Sequence, residues 1–463
     1  MYTFQDFEAC PEADRPKFLL SVIAAHQSSE LYREAVLADE YDAQRNRTVI
    51  EFTRQVFSTQ GVKVDDPTAS DYRICSNFFH RLCTQRVMYS LGNGISFVQP
   101  REDGTGVDEV KEALGGEALD FTMLQAGLHA VEHGITFLLW DLDRLVEFPV
   151  TEFAPLWDEV DGRLRAGVRW WRIDDTRPMT VVLYEEQGVT RFRTTKDGGL
   201  ERLGERRAYV TEIASTPAGG DEVVGERNYG PLPVVPMYGN RLAQSALVGM
   251  REAIDSYDLI RSGFADDLQD CAEIWWTVGN AGGMTDSDLA RFRDRLKYLR
   301  IASVDTEAGQ VASPYTQEVP YAARQAYLQT IRSEIYESFG ALDVHAVAAS
   351  ATNDHIDAAY QPLDENAADF EHWVAEALRQ VLRLQGVDDS PVFKRNRISN
   401  QKEQVDMVVA EAQWLDHATI LRKLPNVTPE EAAAILAATE EEEAMAFGIG
   451  ATTTEPGADP EAV

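Results

Sequence analysis

Cysteine is scarce in this chain, with four residues (Cys10, Cys75, Cys83 and Cys271) among 463. They are widely separated and match neither a paired zinc spacing nor a dense disulfide framework, so a reducing cytoplasm is the simplest setting. Long apolar runs are also missing. No stretch approaches the ~18 consecutive apolar residues of a membrane span, and the longest, such as 135–140, are strand-sized. The first residues, including Asp6, Glu8, Glu12 and Asp14, lack the basic start and apolar stretch of a secretory signal. A soluble intracellular product is therefore expected. Basic residues are outnumbered, 43 against 77 acidic, for a formal net charge of -34. That excludes a protein that grips nucleic acid by neutralising phosphates. It leaves open one that lets DNA slide past, because like charge repels the backbone.

Most enzyme signatures are absent as well. There is no G-x-x-x-x-G-K-[ST] phosphate loop, so the chain is not an ATP-driven motor, and no G-x-S-x-G elbow. Gly92–Asn93–Gly94 lacks a third glycine and follows a helical pattern rather than a strand. One catalytic pattern does occur: His129, Glu132 and His133 spell the inverted zincin motif H-x-x-E-H. Histidines four apart share a helical face and could both bind zinc, with Glu132 as base. Against this, three fixed positions arise easily by chance. The same helix carries Leu124, Leu128 and Val131 into an apolar strand, and Gly134 ends it. A helix-end histidine favourable to the dipole, with the other packed on the surface, is the preferred reading. The expectation is a non-enzyme with no catalytic residue, metal or cofactor.

With 44% hydrophobic and 26% charged residues, the chain is of globular composition and long enough for several domains. Helical spacing covers about 4–57, 72–91 and 117–133, with short strands at 95–97 and 135–140. From about 151 to 236 the pattern becomes β: segments 168–173, 180–184, 189–194 and 207–213 read as an antiparallel sheet separated by turn signals. The longest clean helix is 241–271, roughly 45 Å at 1.5 Å per residue. A compact insert at 273–319 holds a strand at 274–278 and a basic helix at 289–298, and a second helix follows at 321–339. A small-residue break at 343–353 precedes a long helix at 358–384, a strand at 391–393 and two further helices near 402–415 and 429–447. Rods that long need partners along their apolar stripes.

The order of β-rich body, long helix, small α/β insert, long helix, small-residue loop, long helix and helical C-terminus resembles the portal proteins of tailed bacteriophages, in their siphophage branch. Residues 241–268 (RLAQSALVGMREAIDSYDLIRSGFADDL) look like that family's first stem helix, including the Ile-Asp-x-Tyr-Asp step at 254–258 and Ser262. Residues 349–360 (ASATNDHIDAAY) are similar to its loop and helix start, although a glycine usual there is absent. Residues 392–400 (VFKRNRISN) resemble its Phe-x-Arg-Asn step, and 419–425 with the later Glu run match its close.

The resemblance implies an α+β portal fold assembled as a ring: wing 1–240, first stem helix 241–272, clip 273–319, second stem helix 320–342, tunnel loop and long wing helix 343–393, crown 394–447 and a disordered tail 448–463. It implies a dodecamer at one capsid vertex through which double-stranded viral DNA is packed and ejected. Its partners would be the terminase motor, a head–tail adaptor, and the major capsid and scaffolding proteins, in a virion assembled in the host cytoplasm and without a membrane. The DNA-facing loop would be Val344, His345, Ala346, Val347, Ala348, Ala349, Ser350 and Asn353. Small uncharged side chains let DNA approach without phosphate contacts that would stall it. A plain interhelical connection has the same composition. The clip contact would be Arg291, Arg293, Arg295 and Lys297, the densest basic cluster, although Asp286, Asp288 and Asp294 balance it as a solvated face. The alternatives are the zinc peptidase and another phage structural component, such as an adaptor or minor capsid protein. Adaptors are short and lack the two long helices flanking an insert.

Overall fold

The computed structural model describes residues 2–57, 62–65, 70–97, 108–215, 221–270, 275–277, 285, 287, 313–315, 321–344, 353–395, 408, 419–420 and 435–436. The chain begins with α1 (Phe4–Ala9), α2 (Arg15–Gln27), α3 (Glu30–Asp42) and α4 (Arg47–Glu51). Strands β1 (Gln55–Phe57) and β2 (Lys63–Asp65) precede α5 (Phe78–Leu91), β3 (Ile95–Ser96), α6 (Glu109–Ala113) and α7 (Glu117–His133). Next come β4 (Ile135–Asp141), β5 (Arg144–Pro149), β6 (Phe153–Trp157), β7 (Leu164–Trp171), β8 (Thr180–Glu185), β9 (Gly188–Thr194) and β10 (Leu200–Arg202). They are followed by β11 (Val210–Ser215), β12 (Asp221–Arg227), β13 (Val234–Tyr238), α8 (Arg251–Asp270), β14 (Trp275–Thr277) and β15 (Ser313–Tyr315). The described chain closes with α9 (Tyr321–Phe339), α10 (Asn353–Leu384) and β16 (Val392–Phe393). Helices with antiparallel sheets make an α+β chain, as expected. It divides into two compact units, one of Met1–Ala35, Cys83–Ser245 and Gly340–Val463, the other of Val36–Leu82 and Ala246–Phe339.

In the first unit, β6 to β10 form a five-stranded antiparallel meander in sequence order. One face carries Leu156, Val168, Val181, Leu183 and Phe192, which meet Leu19, Val22 and Ile23 of α2, and the other buries Phe153, Val182 and Tyr184. Gly167 lies opposite Pro155, and the Phe153 ring crosses it so closely that a Cβ there would sit 2.0 Å from Phe153 Cζ. A second sheet has the order β13-β4-β5. Central strand β4 is buried at every position from Ile135 to Trp140, consistent with its unbroken apolar run. Gly134, at φ +88°, ends α7 and turns the chain into β4. Gly239, just past β13, passes so close to α7 that a Cβ would lie 2.0 Å from the Ala130 carbonyl oxygen. Helices α5, α7 and α10 meet at Gly127, whose missing side chain faces Val87, Leu91 and Phe370.

The segment expected at 207–213 does not extend the meander. Its strand β11 pairs with β12 as a separate two-stranded ribbon, and just before it Arg207 bridges to Val189 of β9.

In the second unit, α8 and α9 pack together. Phe78 stands edge-on to Tyr257 (4.9 Å between ring centres) and Tyr336 (6.1 Å). Arg324 of α9 ion-pairs with Asp267 of α8 and lies 5.7 Å over Phe264. Helix α8 begins at Arg251, not near 241 as its pattern suggested. Ala243 (φ +50°) and Gly249 (φ +82°) take left-handed backbone, and Asn240 Oδ1 accepts the Leu242 and Gln244 N–H groups, so 240–250 is a series of turns. Helix α5 likewise begins at Phe78 instead of 72. Strand β14 pairs antiparallel with β15 between α8 and α9. The basic helix expected at 289–298, the helices expected after 402 (apart from Val408, 419–420 and 435–436) and the tail 448–463 lie outside the described residues.

Candidate functional site

The motif that looked most family-like, Ile254 to Ser262, is a row of polar groups on α8 that holds another part of the second unit. Residues 71–77 run extended beside the helix. Their N–H groups bond to its side chains: Tyr72 N to Asp266 Oδ1 (2.8 Å), Ile74 N to Ser262 Oγ (3.0 Å) and Ser76 N to both oxygens of Asp258 (3.0 Å each). The spacing explains the pattern. Two residues of extended chain advance about 6.6 Å and four residues of helix about 6 Å, so every second amide meets a side chain one turn further along. Asp258 also accepts from Asn46 Nδ2, while Asp255 accepts from Tyr41 Oη (2.5 Å) and Thr48 Oγ1 (2.7 Å). Burial pushes the Asp258 carboxyl up to about 6, against the bonds from Ser76 and Asn46 and the charge of Arg261. Burial also raises the Tyr41 phenol, to about 12, with Asp255 adding to the rise.

In the first unit the expected tunnel loop is anchored at both ends. Gly340, at φ +67°, follows α9. The Gln85 amide then clamps Leu342, donating Nε2–H to its carbonyl and accepting its N–H at Oε1, both at 3.0 Å. Leu342 packs with Ile356, Tyr360, Leu363 and Ala367 at the start of α10 and with Tyr89 of α5. Of the residues expected to face DNA, Val344 is exposed (54%) and Asn353 is the first residue of α10. His345, Ala346, Val347, Ala348, Ala349 and Ser350 lie outside the described residues, as do the clip residues Arg291, Arg293, Arg295 and Lys297. The helix after the loop runs from Asn353 through Pro362, five residues earlier than its pattern indicated.

At the far side of α10 sits the Phe-x-Arg-Asn step. Strand β16 pairs with β3, and Asn93 Nδ2 donates to the Lys394 carbonyl (2.9 Å). Arg395 forks onto Glu371 through Nε (2.9 Å) and Nη2 (2.8 Å) and reaches Asp364 through Nη1 (2.9 Å). Asp364 also accepts the Tyr89 hydroxyl at 2.7 Å. These carboxylates hold the Arg395 guanidinium far above its ordinary range. The resemblance singled out Arg395 without a role. Gln85 and Asn46 carry no sequence signal, because an amide in a helical or turn pattern reads as solvated.

The H-x-x-E-H residues are embedded in the same unit. His129 Nδ1 bonds to Glu147 Oε1 at 3.0 Å, and Glu147 also accepts from Thr136 Oγ1. Glu132 and His133 are buried, and the two imidazoles stack at 5.2 Å with planes 8° apart. The surface histidine is thus His129, while His133 at the helix end is interior.

A family described as phage portal protein, SPP1 Gp6-like, matches residues 20–445. The portal protein of Clostridium phage phiCD119 is 26% identical over 223 residues, which is 46% of this chain and 49% of that protein. The portal protein of Bacillus phage SPP1 is 27% identical over 388 residues, 77% of this chain and 73% of its own length. The chain thus matches about half the length of the first relative and nearly three quarters of the second. Since the family match takes in both motif clusters and both units, this chain belongs to the phage portal proteins of the SPP1 Gp6-like family.

Proposed function

We propose that twelve copies of this chain form the portal ring at one capsid vertex, a channel through which double-stranded genome DNA is packed and later ejected. The observation that carries this reading is the family match over residues 20–445. The role is structural, and the zinc peptidase is not favoured by that family. In this reading α8 and α9 are the stem and 273–319 is the clip, docked first by the terminase motor and then by a head–tail adaptor. Residues 343–353 are the loop facing DNA, and 394–447 is the crown. The surrounding capsid and scaffolding proteins complete the partner set.

Two features agree with it. The net charge of -34 disfavours phosphate trapping, and the loop's ends are clamped by Gln85 and the Leu342 cluster while Val344 at its root is exposed. Electron microscopy of the purified full chain tests the assembly. Twelve-fold rings with a central channel are expected, and a monodisperse monomer at every concentration and salt refutes the reading. For the clip, replacing Arg291, Arg293 and Arg295 with Glu should leave rings intact but weaken terminase or adaptor docking. Unchanged packaging and tail joining would remove that assignment.

A further inference from the structure

We propose that residues 71–77 are a strap clasped to helix α8 by Asp258 as a proton-controlled latch, closed most firmly when that side chain is neutral. The strap has no backbone ladder with α8. Its three bonded backbone amides all reach side chains of the helix, of Asp266, Ser262 and Asp258, and the Tyr72 hydroxyl adds a bond to Gln269 Oε1 (2.7 Å). Only Asp258 is completely buried (0% exposed), and it takes Ser76 N–H on both oxygens. Beside it Asn46, also 0% exposed, turns Nδ2 toward the carboxylate, while Asn46 Oδ1 is buried and meets no donor among the described residues.

Protonation gives that oxygen a donor. A neutral Asp258 donates its O–H to Asn46 Oδ1 once the amide rotates by half a turn, and its other oxygen keeps the Ser76 N–H. The ionised form keeps its acceptors but strands a charge where water is excluded. The charged and titratable neighbours do not cancel it. Arg261 on α8 is the cation acting on it, Asp255 one turn back is itself an acid bonded to Tyr41 and Thr48 and paired with Arg251 (3.5 Å), and the strap supplies Cys75. Burial and Asp258 both push the Cys75 thiol up, so it adds no positive charge. In the strap-open state Asp258 returns to its ordinary range near 3.8, against about 6 when closed. The closed state therefore binds the proton more tightly, and opening becomes easier as pH rises between those values and flat above them.

Hydrogen exchange of the full chain reads this directly, using peptides covering 71–77 and correcting for intrinsic exchange between pH 5 and pH 8. In the unaltered chain the opening equilibrium should rise about tenfold across that range. Asp258→Asn keeps one acceptor for Ser76 and one donor for Asn46, so its strap should be at least as closed as that of the unaltered chain at pH 5 and lose the pH dependence. Ser262→Ala removes the Ile74 acceptor and should raise opening equally at every pH, leaving the dependence intact. No pH dependence in the unaltered chain overturns the proposal, and so does an Asp258→Asn strap that is open at every pH while far-ultraviolet dichroism shows the chain folded.

Discussion

Replacing Arg395 with Ala should detach β16 from α10 more than its short sequence suggests. The guanidinium makes three charge-assisted bonds, two to Glu371 and one to Asp364. Such bonds contribute about 1.5–3 kcal/mol each when fully buried, but Arg395 is 27% exposed and its partners 14% and 19%. Solvent screening reduces the total, and about 2–3 kcal/mol is expected for Arg395→Ala. Part of that loss is repulsion between Glu371 and Asp364 once the cation is gone, so adding Glu371→Gln should recover about 1 kcal/mol. Arg395→Lys keeps the charge without the planar fork and should cost about half as much as Ala. The assay is native-state hydrogen exchange of the Val392 and Phe393 amides, read as an opening free energy. An Ala variant within 0.5 kcal/mol of the unaltered chain, or a Lys variant equal to Arg, would refute the assignment of the fork as the clamp.

Gly239→Ala should be strongly destabilising, by about 3 kcal/mol or more in thermal or urea unfolding, because its Cβ would fall 2.0 Å from a backbone oxygen that cannot move aside. Gln85→Ala strips both bonds from Leu342 and should weaken protection of the Leu342 amide by about 1–2 kcal/mol, while Gln85→Glu, lacking the donor, should lose roughly half as much. His26 and Asp258 should make their surroundings respond to acid in opposite directions. His26 donates Nε2–H to the Val150 carbonyl (2.8 Å), and burial depresses its pKa below 6.5. The unfolded chain then binds the extra proton, so α2 loses stability as pH falls below 6.5, whereas the Asp258 strap gains it. Exchange measured at pH 7.5 and pH 5 should show peptides of 15–27 and 71–77 diverging, and a common trend would contradict both shifts.

Where a helix ends on its own glycine, the sequence reads cleanly. Helix α7 stops at Gly134 and α9 before Gly340, both left-handed, and both helices span the residues their patterns indicate. The meander strands expected at 168–173, 180–184 and 189–194 were legible because β-branched and aromatic residues cluster there between turn signals, although β7 begins earlier, at Leu164, and β8 is buried on both faces. The failures share a cause. Residues 72–77 have helical composition, yet their amides are claimed by α8 side chains nearly two hundred residues later. Likewise 241–250 carries a helical stripe that Asn240 and Ala243 convert into turns. Strands β5 and β6 escaped notice because Arg144–Pro149 reads as a charged connection until β4 is seen to lie beside it.

The family motifs were recognisable while their meaning was not, because their side chains hold chain segments far away in sequence. Asp255, Asp258, Ser262 and Asp266 recur at three- and four-residue steps, which in isolation reads as the solvated face of an amphipathic helix. Three of the four are acids, in a chain already carrying 77, so composition gives no cue that these particular ones are interior. Yet Asp258 is inaccessible, and Asp255 and Asp266 are nearly so. An apolar stripe accepts any similar side chain at modest cost, whereas a buried carboxylate with fixed donors accepts almost none. Positions of the second kind tolerate less change than the surrounding sequence, and Asp255 and Asp258 of the Ile-Asp-x-Tyr-Asp step are of that kind. By that argument the informative residues of this family's helices are the polar ones that hold other chain segments, and the residues that meet DNA or the motor need not be legible at all.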